Sequence, residues 1–262
     1  MGHVTRPTAY LSDMFRLEHV SKRFGATTAL ARMSHDFAPG KTTVLIGPSG
    51  CGKSTILRLC LGLVQTDTGR VLFRDTVLGP ESVTSVRHRV GYVIQDGGLF
   101  PHLTVLENAA LLPRRLGLRT SDIRERAETL ARMVRLDADH LGRYPIELSG
   151  GQRQRVGLVR ALMTDPDVLL LDEPLGALDP MIRSELQHDL VTMFRTLGKT
   201  VIMVTHDIGE AGLFADEIVL MKSGGVVQKG SLRDLVRSPA DTFVRAFINA
   251  QRSPLESLQE AL

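Results

Sequence analysis

Four short apolar runs punctuate the chain. Val44-Leu45-Ile46 stops at Gly47, Val168 to Leu171 stops at Asp172, Val201 to Val204 stops at Thr205, and Ile218 to Met221 leads into Lys222-Ser223-Gly224-Gly225. Unbroken apolar runs of this length fit strands covered on both faces, as in a parallel sheet between helices. Helix-period segments lie between them, which makes the class α/β. Ser223-Gly224-Gly225-Val226-Val227-Gln228-Lys229-Gly230 reads as a tight turn between short strands. Helices from Leu232 and from about Asp241 then close the fold.

Residues from about 96 to 149 follow another rule. Ile123, Ala127, Leu130 and Val134 recur at helical spacing after Ser121-Asp122, a plausible helix start, and no strand pattern appears. This segment is expected to be a helical insertion in an α/β core of about 14–95 and 150–250. The whole 14–250 forms one domain, with loose ends at 1–13 and 251–262. No repeat or low-complexity segment is present.

Composition narrows the picture a little. The 262 residues are 43% hydrophobic and 23% charged, ordinary for a globular chain. The net charge of +3 is spread among interleaved acids, so no basic patch for nucleic acid is expected. Cys51 and Cys60 make no disulfide framework and fit a reducing compartment. No apolar run has the ~18 residues of a membrane span. The first residues lack an apolar signal core, and Arg6 stands where a myristoylation motif needs Ser or Thr.

Candidate chemistry starts at the first apolar run. Gly47-Pro48-Ser49-Gly50-Cys51-Gly52-Lys53-Ser54 fits G-x-x-x-x-G-K-[ST], after a strand and before a helix carrying Thr55, Ile56, Leu57 and Leu59. Glycines let backbone N–H groups turn onto phosphates, and the helix N-terminus adds its positive end. Lys53 would reach the β/γ-phosphates and Ser54 would ligate Mg²⁺. An ordinary glycine turn is the bland alternative. Asp172 and Glu173 end the second run, at the edge where open α/β sheets bind ligands. Asp172 fits a water-mediated Mg²⁺ ligand and Glu173 a general base; alternatively both cap the turn at Pro174.

A second cradle follows a hundred residues later, at Glu147-Leu148-Ser149-Gly150-Gly151-Gln152-Arg153-Gln154-Arg155-Val156-Gly157. A helix is expected from Gln152, with Val156, Val159 and Met163 on one face and Asp165-Pro166 ending it. Its N-terminus would offer Ser149 and the Gly150 and Gly151 amides to an anion.

Phe24, Gly47–Ser54, Gln95, Leu148–Gln152, Leu171-Asp172-Glu173, Ala177-Leu178-Asp179 and Thr205-His206-Asp207 occur in one chain order. This set resembles the ATP-binding cassette (ABC) family of transporter ATPases over about residues 14–250. The resemblance implies a P-loop NTPase (RecA-like) parallel-sheet core, an N-terminal antiparallel β part and an inserted helical subdomain. It also implies ATP and Mg²⁺ as ligands. Phe24 would stack on adenine, though it also reads as a core aromatic. Gln95 would contact Mg²⁺ and the attacking water, or is a surface amide. His206 would meet the γ-phosphate, or is a core histidine. Asp179 would lie in a loop that crosses to a second subunit, or in a plain turn. Leu148, Ser149, Gly150, Gly151 and Gln152 would hold the γ-phosphate of a nucleotide bound by another copy, so a head-to-tail homodimer is implied.

With one cassette and no span, the chain resembles a separate transporter ATPase subunit, peripheral on the cytoplasmic face of the cell membrane. Phe100, Pro101, His102 and Leu103 resemble the stretch where importer ATPases receive a permease helix; a helix-start loop with a hydrophobic staple is the alternative. Arg89 to Thr104, Ser184 to Gln187 and Leu197 to Thr200 look most like the osmoprotectant type, which moves glycine betaine, choline or carnitine. A solute-binding protein would be an indirect partner. Amino-acid or nitrate/sulfonate uptake, an exporter subunit, and a non-transport ATPase of DNA repair or translation are the alternatives.

Overall fold

The computed structural model describes residues 13–95, 97–176 and 178–251. Residues 1–12 and 252–262, which make up nearly all of the expected loose ends, lie outside them, as do Asp96 and Ala177.

The four apolar runs are strands of one six-stranded sheet. They are β3 (Thr42–Ile46), β7 (Val168–Asp172), β8 (Thr200–Val204) and β9 (Glu217–Lys222). Every residue of β3, β7 and β8 is buried, which is why these runs carry no polar alternation. The sheet order is β10-β9-β3-β8-β7-β6, with β6 at Val90–Val93 and β10 at Gly225–Gly230. All neighbours are parallel except β9 and β10. That last pair is the expected tight turn. Ser223 and Gly224 both have positive φ, 48° and 80°, as a type I′ hairpin turn demands.

A second, antiparallel sheet runs β2-β1-β4-β5. It contains β1 (Phe15–Phe24), β2 (Thr27–Phe37), β4 (Thr68–Phe73) and β5 (Thr76–Val77). Its buried side chains Phe15, Leu17, Val20, Leu30 and Phe37 pack with helix α1 (Lys53–Cys60) against one face of the central sheet, at Leu45, Leu170, Ile202 and Val204. The short α2 (Val83–Arg87) precedes β6.

The other face belongs to the remaining helices. Val44, Ile46, Leu169, Leu171, Val201 and Met203 alternate with the residues just named and point the opposite way. They pack with α5 (Gly150–Leu162), α6 (Pro180–Leu197) and α7 (Ile208–Phe214). α8 (Leu232–Arg237) and α9 (Thr242–Ala250) add Leu235, Val244 and Ile248 to the same core.

Within 97–149 the described residues form α3 (Val105–Arg115), α4 (Thr120–Met133) and two 3₁₀ turns, Ala138–Gly142 and Pro145–Glu147. Ile123, Ala127, Leu130 and Val134 are all buried. α4 begins at Thr120, ahead of the Ser121-Asp122 start read from the sequence. Its N-cap is Arg119, whose Nε donates to Asp122 at 2.9 Å. α5 packs on α3, on α4 and on β6, so it joins this helical part to the sheet.

Candidate active site

The first phosphate cradle leaves the C-terminal end of β3. Gly47 has φ +143°, and a Cβ there would lie 2.2 Å from the Met221 carbonyl oxygen. Gly52, at φ +105°, would bring one within 2.3 Å of the Ala29 oxygen. Only glycine lets the loop pass this close to β9 and β2. Pro48, Ser49 and Gly50 are exposed at its crest, while Cys51 is buried beneath. The Cys51 thiol is pushed up by burial, against the pull of Lys53, so it is a packing group rather than a nucleophile. Lys53 is 6% exposed, and its ammonium donates to the carbonyls of Gly47 at 2.8 Å and Pro48 at 3.1 Å. Thr55 stands half-buried in the first turn of α1.

Carboxylates meet this loop from the strand two places along the sheet. Ser54 Oγ donates to Asp172 Oδ1 at 2.7 Å. Tyr92, on β6, donates its hydroxyl to Asp172 Oδ2 at 3.4 Å. Burial, then the Asp172 charge, pushes the Tyr92 hydroxyl up to about 12, so it stays a donor. Sequence reasoning missed Tyr92. Its one signal was a polar atom within the apolar run Val90 to Ile94.

Glu173 turns sharply out of β7. Its φ is +47°, a left-handed conformation that costs a non-glycine residue about 1–3 kcal/mol and persists where the surroundings enforce it. Its N–H donates to the Val204 oxygen at 3.0 Å, which holds the turn against β8. Its Oε2 then lies 3.6 Å from Nδ1 of His206, just past β8. His206 is more than half exposed, so it is no core histidine. Behind it, Thr205 Oγ1 donates to buried Glu210 and accepts the Asp207 N–H at 3.1 Å. Gln95 is exposed two residues beyond β6. The segment after it is latched to α5, because Arg160 donates to the oxygens of Gly97 at 2.9 Å and Gly98 at 2.7 Å.

Phe24 is not a core aromatic either: it is 47% exposed at the end of β1, with the Lys22 ammonium 5.5 Å from its ring centroid.

The second cradle is a helix start two residues earlier than read from the sequence. Ser149 is the N-cap of α5, and Gly150 and Gly151 are already helical. Ser149 Oγ accepts the Gln152 N–H at 3.2 Å, and Gln152 Oε1 accepts the Ser149 N–H at 2.9 Å. This reciprocal capping box outweighs the helix cost of two glycines. Among the described residues the Ser149 hydroxyl hydrogen and the two glycine N–H groups have no other partner, which leaves them for an anion. The Gln152 side chain is engaged by the chain itself, and Leu148 is buried. A Cβ at Gly151 would meet Ile182 Cγ2 at 2.5 Å, so a larger residue would require Ile182 to shift. Asp179 caps α6 through Oδ1, which accepts from the N–H of Met181 at 3.0 Å and Ile182 at 3.1 Å.

The structure thus gathers Lys53, Ser54, Asp172, Glu173 and His206 around one sheet edge. It does not bring the second cradle to them. α1 packs on one face of the central sheet and α5 on the other.

The stretch Phe100 to Leu103 leads into α3. Phe100, Pro101 and His102 are exposed and Leu103 is half-buried. Thr104 caps α3 with a Glu107 capping box. Buried Asn108 fastens the loop, accepting from Phe100 N at 2.8 Å and donating to the oxygens of Phe100, Leu103 and Thr104. The fastening of this helix-start loop is therefore polar. No helix among the described residues is long and apolar enough to cross a membrane.

Comparison with known proteins gives this geometry a family. Over residues 30–176 the chain matches the model described as ABC transporter. It is 42% identical over 240 residues to the glycine betaine/carnitine/choline transport ATP-binding protein OpuCA of Bacillus subtilis (strain 168), covering 91% of this chain and 63% of that protein. The chain therefore spans somewhat less than two thirds of that relative's length. It is 43% identical over 245 residues to the Fe(3+) ions import ATP-binding protein FbpC of Brucella abortus (strain 2308), covering 92% and 67%. Among solved structures, the dimeric MJ0796, a bacterial ABC transporter cassette, superposes with a TM-score of 0.76 at 34% identity, covering 84% of this chain and 99% of that one. The family match covers more than half of the chain, over the stretch that holds the glycine loop, the Asp172-Glu173 pair and the Ser149 helix start, and the chain belongs to the ABC transporter family.

Proposed function

We propose that the chain is the ATP-hydrolysing subunit of an import system, working as a head-to-tail homodimer beneath a separate permease on the inner face of the cell membrane. The observation that carries the reading is that the two cradles open from helices on opposite faces of the central sheet, and the similar cassette MJ0796 is a dimer. On this reading a nucleotide held by Lys53 and the α1 amides is not completed by Ser149 of its own chain. A second copy, turned head to tail, supplies that contact. Closure then adds charge-assisted hydrogen bonds from one chain's Ser149 and glycine amides to the other chain's γ-phosphate.

The first site's donors suit a hard divalent cation. Ser54 Oγ and Asp172 Oδ1 are oxygens already 2.7 Å apart, and Mg²⁺ takes few protein oxygens together with waters and phosphates. Ser54 would hold it directly, Asp172 through water, and Gln95 from the segment that follows β6. When bound, Mg²⁺ would neutralise charge on the β- and γ-phosphates.

Hydrolysis follows from the chain's own groups. Water attacks the γ-phosphorus in line while the bond to the β–γ bridging oxygen breaks, leaving ADP and phosphate. Glu173 accepts the water's proton, and His206, beside it, orients the γ-phosphate and the attacking water. Lys53 and the loop amides stabilise the charge that develops. Phe24, exposed on β1, offers a face for adenine. The exposed Phe100-Pro101-His102 crest, with Leu103, is the surface for a permease helix. Arg160 ties α5 to the segment between that crest and Gln95, so closure at the nucleotide would be felt at the permease.

The solute is glycine betaine, choline or carnitine on this reading, supported by the 89–104 stretch and by the likeness to OpuCA. The comparable identity to FbpC favours ferric ion as the second reading. Uptake of labelled betaine, choline, carnitine and ferric ion in cells with and without this chain tests both. Loss of betaine-type uptake, restored by the wild-type chain and not by Glu173→Gln, is expected. Loss of ferric uptake alone overturns the first reading.

A further inference from the structure

One buried histidine holds the second cradle in place. The Ser149 N–H is a donor and nothing else. The Gln152 side-chain atom 2.9 Å from it must therefore be the amide oxygen. The other end of that amide, its NH2, then faces Nε2 of His140 at 3.0 Å. A ring nitrogen that receives an NH2 must offer a lone pair, so His140 is neutral with its proton on Nδ1. Nδ1 stands 3.3 Å from the Asp137 carbonyl oxygen, which is an acceptor. One tautomer and one amide orientation thus satisfy the whole relay from Asp137 through His140 and Gln152 to Ser149.

The relay has a consequence for the anion site. His140 is 7% exposed, on the 3₁₀ turn Ala138–Gly142 that packs against α3 and α4. Its imidazole fixes Gln152, and Gln152 fixes the Ser149 end of the capping box. Both ends of the Gln152 amide are thus engaged, and the capping box holds exposed Ser149 at the start of α5. We propose that His140 is a positioning residue for this cradle. It acts through Gln152 and sets the geometry with which Ser149 meets a phosphate. The proposal rests on reading the cradle as the seat of a partner chain's γ-phosphate.

Two measurements on the full chain test it. The ¹⁵N NMR signals of the His140 ring, assigned by their loss in His140→Gln, are expected to report a protonated Nδ1 and a bare Nε2. A proton on Nε2 overturns the relay. The second measurement uses ATP-driven dimerisation in a Glu173→Gln background. If Glu173→Gln alone stays monomeric with ATP, the two-chain reading fails, whatever His140 does. Given that dimer, adding His140→Phe fills the ring's space without an acceptor and is expected to weaken dimerisation about tenfold, while nucleotide binding to the monomer holds. Adding His140→Gln instead returns an acceptor to the Nε2 position and is expected to restore most of the loss. Full-strength dimerisation by the Phe variant overturns the proposal. So does equal weakness in both variants when each melts at the parent temperature. If the Phe variant fails to fold, the NMR result decides.

Discussion

Glu173 and His206 face each other across 3.6 Å, Oε2 to Nδ1, from the ends of two adjacent parallel strands. The register pairs Asp172 with Val204, so the next residues on each strand share one edge. The left-handed turn at Glu173 aims the carboxylate into that edge. Glu173→Gln is expected to slow hydrolysis by about a hundredfold or more while ATP binding holds. His206→Ala should slow it in the same sense. Phosphate release and nucleotide titration separate the two effects. A Glu173→Gln chain that turned over normally would move the general base elsewhere.

Gly47 and Gly50 both have positive φ, yet they should respond differently to alanine. At Gly47 the new Cβ meets a backbone oxygen at 2.2 Å, and backbone cannot yield as a side chain can. Gly47→Ala should cost about 3 kcal/mol or more and damage the nucleotide loop. At Gly50 nothing lies within 4 Å, so Gly50→Ala should cost only the backbone strain, about 1–2 kcal/mol. Thermal melts of the two variants give the comparison.

A buried ion pair ties α5 to α6. Arg155, on α5, meets Asp189 of α6 at 2.6 Å and Glu185 at 3.1 Å, and also donates to the Val134 carbonyl at the end of α4. The Arg155 and Asp189 side chains are 7% and 4% exposed. Arg155→Ala leaves a buried carboxylate with, among the described residues, only the exposed Arg135 beside it, so about 3–5 kcal/mol of stability should be lost. Arg155→Met with Asp189→Leu removes both charges and should recover a good part of it, read by denaturant unfolding.

Glu210 sets a pH dependence. Burial pushes its carboxyl above the usual 4.5, against the Thr205 hydrogen bond, which favours the charged form. A raised acid binds its proton more tightly folded than unfolded. Its contribution is full below pH 4.5 and falls as pH rises through the raised value. Glu210→Gln keeps an acceptor for Thr205 and does not titrate. Melting temperatures of the variant should therefore gain on the wild type as pH rises from 4.5. A constant gap across that range would contradict the assignment.

Legibility in the sequence followed burial. β3, β7 and β8 were readable because each is apolar throughout. β1 and β2 were not read from the residues, and the antiparallel part came only with the family resemblance. The reason is visible in β1: register shifts between Leu17, Val20, Lys22 and Arg23, with His19 at φ +51°, break the two-residue period. α3 went unread, with Pro113 inside its last turn where a breaker is expected. The cradle residues declared themselves because their spacing is local. Tyr92 on Asp172 and His140 on Gln152 did not, because packing across 80 and 12 residues leaves no spacing to read. The sequence left Phe24 open between core and surface, and its exposure on β1 decides that point.

The most direct test of the split site is sedimentation of two variants with ATP and Mg²⁺. Glu173→Gln should bind ATP and sediment as a dimer. Glu173→Gln with Ser149→Arg should bind ATP equally well and remain a monomer, because the arginine blocks only the cradle proposed to meet the other chain's nucleotide. A dimer in the double variant, or wild-type hydrolysis by Ser149→Arg alone, would contradict an active site shared between two copies.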